Sequence, residues 1–112
     1  MAQILLAADT LSVSMTDVEK LEALHGDVVV ARSSVTKARV ASDGMAELHG
    51  IRAPGTGLPG VIAVGTWRDQ GSKTFAVCHG RRPAVVIELK GEAYDRLVVT
   101  LDDAEQIVAA LA

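Results

Sequence analysis

Val61-Ile62-Ala63-Val64-Gly65-Thr66-Trp67-Arg68-Asp69-Gln70-Gly71-Ser72-Lys73-Thr74-Phe75-Ala76-Val77-Cys78 decides the fold class. Val61 to Trp67 is an apolar, β-branched run of strand length. Arg68-Asp69-Gln70-Gly71 carries polar turn formers and reads as a hairpin loop. Lys73 to Cys78 then alternates, with Phe75 and Val77 opposed to Thr74, Ala76 and Cys78, the period-2 pattern of a strand. Two strands joined by so short a link must pair antiparallel.

Working outward, His79 to Pro83 turns the chain. Ala84 to Leu89 is a strand with Val85, Ile87 and Leu89 on one face, and Arg96 to Leu101 places Leu97, Val99 and Leu101 together. Asp102 is expected to cap a last helix, with Glu105 three residues on, because carboxylates suit a helix N-terminus. Ala104, Ile107, Val108 and Leu111 form that helix's apolar face. Upstream, Ile4 to Ala8 and Leu11 to Met15 read as strands joined by Asp9-Thr10. Thr16-Asp17-Val18-Glu19 is a capping box that starts an early helix, with Val18, Leu21 and Leu24 on one face and Gly26 able to take a left-handed cap. Val28 to Arg32 is nearly continuous in Val and is expected to be a buried strand. Val35 to Val40 is another strand, and Ser42 to Leu48 favours a single helical turn. Arg52-Ala53-Pro54-Gly55-Thr56-Gly57-Leu58-Pro59-Gly60 is dense in turn formers and is expected to be a loop. The sum is one β-rich (α+β) domain over residues 1–112. It has about eight short strands, an early helix and a C-terminal helix that plugs the open end of a bent antiparallel sheet.

Composition narrows the function. The 112 residues are 49% hydrophobic, with one Trp, one Tyr and one Phe, so the core is aliphatic. A net charge of −3 disfavours general nucleic-acid binding and tight docking on anionic lipid. The charge is uneven, with eight basic and three acidic residues between Arg32 and Arg82. The lone Cys78 excludes an internal disulfide and suits a reducing compartment. Met1 to Ala8 is apolar but carries no Lys or Arg and meets Asp9 at once, unlike a secretion signal. No apolar run approaches the roughly 20 residues of a membrane helix. These features predict a cytoplasmic protein without an integral membrane segment.

The chemistry-bearing residues do not assemble into a catalytic set. The glycines of 55–60 are followed by Leu58-Pro59-Gly60 rather than by Gly-Lys-Ser/Thr, and Pro59 removes an amide that a phosphate would need. Cys78 and His79 are adjacent in a strand and so point to opposite faces, which suits a buried thiol rather than a thiolate–imidazole couple. His25, His49 and His79 lack metal-ligand spacing. Asp102 and Asp103 are explained by capping, and no Ser stands in a nucleophile elbow. No enzyme, metal or cofactor is expected. The candidate contacts to an anionic ligand are Arg52, Arg68, Lys73, Arg81 and Arg82, and Trp67 is a candidate interface anchor.

Arg52-Ala53-Pro54-Gly55-Thr56-Gly57-Leu58-Pro59-Gly60, Val64-Gly65-Thr66-Trp67-Arg68, Phe75, Pro83-Ala84-Val85-Val86-Ile87-Glu88-Leu89, Tyr94 and Arg96-Leu97-Val98-Val99 together resemble the centre of small bacterial pleckstrin-homology-like domains. The likeness covers about half the chain. It implies a bent sheet or partly open barrel capped by a C-terminal helix, no catalytic activity, and a role in interaction or oligomerisation. Eukaryotic relatives grip inositol phosphates with basic residues around the first hairpin. Here that turn is Ala7-Ala8-Asp9-Thr10, and the terminal helix lacks those relatives' Trp, so phosphoinositide binding is not implied. The function expected is a noncatalytic module that binds itself or another protein, naturally through an edge strand. The alternative is a binder of a small anionic ligand or lipid headgroup.

Overall fold

The computed structural model describes residues 2–112, with the backbone alone at Ala53; Met1, first in the apolar start, lies outside the described residues. In chain order the described elements are β1 (Gln3–Leu6), β2 (Thr10–Ser14), α1 (Asp17–Ala23), β3 (Val28–Ala31), β4 (Val35–Ala41), β5 (Ile51–Leu58), β6 (Ile62–Asp69), β7 (Ser72–His79), β8 (Ala84–Leu89), β9 (Arg96–Thr100) and α2 (Ala104–Leu111). Short 3-10 turns over Arg32–Ser34 and Gly44–Glu47 flank β4. The β-rich α+β class therefore stands.

The β6–β7 hairpin forms as expected. Its register runs from Ile62–His79 to Asp69–Ser72 and closes on Gln70 and Gly71, both at positive φ. The sheet around it is not wholly antiparallel. Six strands lie in the order β4-β8-β9-β7-β6-β5, and β7 pairs parallel with β9. The chain leaving β7 does not fold back beside it. β8 stands one strand further out, and β9 returns into the gap, so residues 80–95 act as the crossover that a parallel pair requires. β1, β2 and β3 form a separate three-stranded antiparallel sheet.

The segment expected to be a loop is mostly β5, an edge strand. Its Gly and Pro content suits one special geometry rather than irregular chain. Gly55 (φ +151) lies opposite Gly65 (φ +141), and a Cβ on Gly65 would sit 2.5 Å from the Gly55 Cα. Pro54 stands where the register slips between Arg52 and Gly55, on an edge where its missing amide costs no ladder bond.

Alternation along the strands gives the six-stranded sheet two covered faces. One carries Val64, Phe75, Val77, Val85, Ile87, Leu97 and Val99, packed with Leu11, Val13 and Val30 of the small sheet and with Ala104 and Ile107 of α2. The other carries Ala63, Ala76, Cys78, Ala84, Val86 and Val98 beneath Met45, Leu48 and Trp67. Small side chains there let the Gly44–Glu47 turn lie close; a Cβ on Gly44 would meet Ala84 Cβ at 2.7 Å.

Both helices depart from expectation in detail. The Thr16–Glu19 capping box forms, but Leu24, not Gly26, takes the left-handed cap. α1 packs on β5 and β6, where Thr56 Oγ1 donates to Glu22 O at 2.9 Å. It buries Glu19 and Ala23 and turns Val18, Leu21 and Leu24 outward. Spacing defines an apolar stripe but does not say what it faces. Val29 of β3 is likewise exposed rather than buried, because the small sheet is covered on one face only. Asp102 does not cap α2. It pairs with Arg82 at 2.9 Å, and the N-cap position belongs to Asp103, whose side chain makes no capping bond. The apolar face of α2 forms as expected.

Candidate functional site

The six residues singled out in the sequence separate into three places. The register decides the first. Arg52 lies directly opposite Trp67 across β5–β6, so both side chains leave the sheet on the face that bears Ala63 and Cys78. Arg81, in the turn after β7, reaches the same place. Together with Met45, Leu48 and Leu58 these three side chains line a cleft of about 230 Å³, floored by Ala63.

Each wall of the cleft is held. Arg52 Nη1 lies 3.4 Å from Gly57 O, and a Cβ on Gly57 would stand 2.5 Å from that same nitrogen. Gly57 has an ordinary φ, so its small size there gives the guanidinium room to lie along β5. Arg81 Nη1 donates to Asp43 Oδ2 at 2.7 Å, and Asp43 Oδ1 accepts from the Met45 amide at 3.0 Å. Arg81, opposed by some burial and aided by that amide, holds the Asp43 carboxyl below its ordinary value. Glu47 pins the turn from below through Arg39 and through the Arg96 guanidinium, which donates to Glu47 O at 2.7 Å. Among the described residues, Arg52 has no carboxylate partner.

Arg68 and Lys73 lie elsewhere. They face each other across the β6–β7 hairpin on the opposite side of the sheet, where Lys73 Nζ stands 4.9 Å above the Tyr94 ring. Arg82, adjacent to Arg81, points the other way. With Asp102 it borders a larger, acidic hollow at the start of α2. The five cations thus do not form one surface.

Sequence reading did not find one further polar pair. Glu19 is 2% exposed, and His79 Nε2 lies 2.6 Å from its Oε2. Its Oε1 accepts from the Thr16 amide at 2.8 Å. Burial pushes the Glu19 carboxyl up, but the Thr16 and His79 hydrogen bonds outweigh it and hold the group below its ordinary value. The partners are 60 residues apart, so no local spacing signals them. Cys78, as expected, points the other way from His79. It is wholly buried, and burial pushes its thiol up to about 12.

No described helix is long and apolar enough to cross a membrane. Comparison with protein-family models, curated proteins and solved structures found no match.

Proposed function

We propose that this chain is a noncatalytic interaction module of the cytoplasm that associates with a second copy of itself through the outer face of α1. One observation carries the reading: Val18, Leu21 and Leu24 are 65%, 73% and 69% exposed at helical spacing, while the same helix buries a carboxylate beneath it. Desolvating such a stripe is the usual driving force of association. Ile51 and Val61, at the start of β5 and in the turn after it, are also largely exposed. The outer edge of β5 is a poorer contact than the helix, because Pro54 and the register slip blunt it against strand addition. The groups with catalytic potential are otherwise engaged. Glu19 serves α1 and His79, and the Cys78 thiol is held neutral.

Native mass spectrometry and light scattering over about 10–500 μM test this, a range suited to a small, weak interface. The expected result is a concentration-dependent dimer that Leu21→Glu converts to monomer, with the melting temperature unchanged at the dilute end of the range, where both proteins are monomeric. A wild type that stays monomeric throughout would sink the proposal.

A further inference from the structure

The geometry points to the Arg52–Trp67–Arg81 cleft as a binding site for a small organic monocarboxylate with an apolar body. The site lies on the face of the six-stranded sheet opposite α1, so it is independent of the self-association reading.

Charge sets the ligand's sign and number. Arg81 already shares its charge with Asp43 at 2.7 Å, whereas Arg52 makes only a long contact with a neutral carbonyl. The cleft therefore offers one uncompensated guanidinium, enough for a single negative charge. A dianion such as phosphate would need to pull Arg81 from Asp43 and thereby release the side chain that caps the Met45 turn. Pro59 also withholds one of the amides with which a phosphate cradle is built. The planar fork of Arg52 matches the two oxygens of a carboxylate.

The lining sets the ligand's body. Trp67, Met45, Leu48 and Leu58 provide an aromatic plane and flexible aliphatic walls around the two cations. The volume, about 230 Å³, lies below the roughly 300–1,000 Å³ of drug-sized sites, so the occupant is small. Gly57 is the distinctive element. Its conformation does not call for glycine, yet any side chain there would displace the Arg52 guanidinium rather than the backbone.

Trp67 is the chain's single Trp and lines the cleft, so its fluorescence reports occupancy directly. Octanoate is the probe, with 1-octanol, acetate and inorganic phosphate as comparisons. We expect a saturable change in emission with octanoate, half-complete below about 1 mM, and responses at least about 10-fold weaker from the other three. Arg52→Leu and Gly57→Ala should each weaken octanoate at least about 10-fold while moving the melting temperature by less than about 2 °C. Arg52→Lys, which keeps the charge but loses the fork, should fall between them and wild type. An unsaturable response, equal binding of octanol, or full binding by Arg52→Leu would overturn the site. Tighter binding of phosphate than of octanoate would overturn the carboxylate assignment.

Discussion

Glu19 shows what a single carboxylate can do when it is 2% exposed. One oxygen closes the capping box and the other meets His79, tying the start of α1 to the end of β7. A buried acid without those partners would titrate above its ordinary 4.5; with them it lies below. Because the folded state holds the group below its unfolded value, the stabilisation is fully present above pH 4.5. It is lost as pH falls through the lowered folded value. Replacing Glu19 by Gln should therefore cost about 1–3 kcal/mol at pH 7. The gap to wild type in urea denaturation should narrow as the pH drops below 4.5; a gap of constant size down to pH 3 would refute the account. Only half of this was readable locally. The motif Thr16-Asp17-Val18-Glu19 shows the cap, and nothing near residue 19 or 79 shows the long-range pair. The adjacent Arg81 and Arg82 make the same point, since one residue's step sends them to opposite surroundings.

Among the elements, β5 and β6 depend on a close backbone approach between Gly55 and Gly65. A methyl at Gly65 would lie 2.5 Å from both Gly55 Cα and Pro54 O, at a φ of +141 that L residues avoid. Gly60 shares the positive φ, at +76, but faces open space. Gly65→Ala should thus cost more than about 3 kcal/mol and Gly60→Ala about 1 kcal/mol, read as urea midpoints. Similar losses at both positions would show that backbone conformation, not the close approach, is what matters. The sequence of this region was misleading for a physical reason. Glycine and proline usually mark turns, and here they mark a strand pair packed too closely for side chains. Where ordinary strand chemistry holds, as from Lys73 to Cys78, the alternation alone assigned the faces correctly. The outward stripe of α1 lies between these cases. Its period was plain, but periodicity carries no information about which side of a helix meets the sheet.

At the scale of the molecule, the six-stranded sheet is a middle layer with a large core on one side and a small one on the other. Cys78 sits wholly buried in the small core, with Ala84 and Val98, under the Gly44–Glu47 turn. Its thiol, raised to about 12 by burial, has no route to a reagent short of substantial opening. Iodoacetamide at pH 8 should modify the native protein at least about 100-fold more slowly than the urea-unfolded chain. Labelling at the unfolded rate would mean that the turn lifts off readily. This layering was only partly legible. Two faces could be read along β7 to β9, but the parallel pairing could not, because four residues of turn after His79 fit a simple hairpin equally well. Half of the candidate cleft was legible too. Arg52, Trp67 and Arg81 were singled out by type, but the register of β5 against β6 is what sets Arg52 beside Trp67, and the turn after β7 is what adds Arg81.

The insertion of β9 between β7 and β8 sets a timetable for the growing chain. β4 is complete at residue 41 but meets its partner only with residues 84–89, and the second neighbour of β7 is residues 96–100. While residues 42–83 are being made, β4 travels with both edges unpaired. The β8–β9 hairpin, whose strands are made last, then bridges β4 on one side and β7 on the other. Pairings of such sequence separation fold slowly, in milliseconds to seconds rather than microseconds. The nascent chain is therefore most exposed to aggregation and chaperone capture just before its last strand emerges.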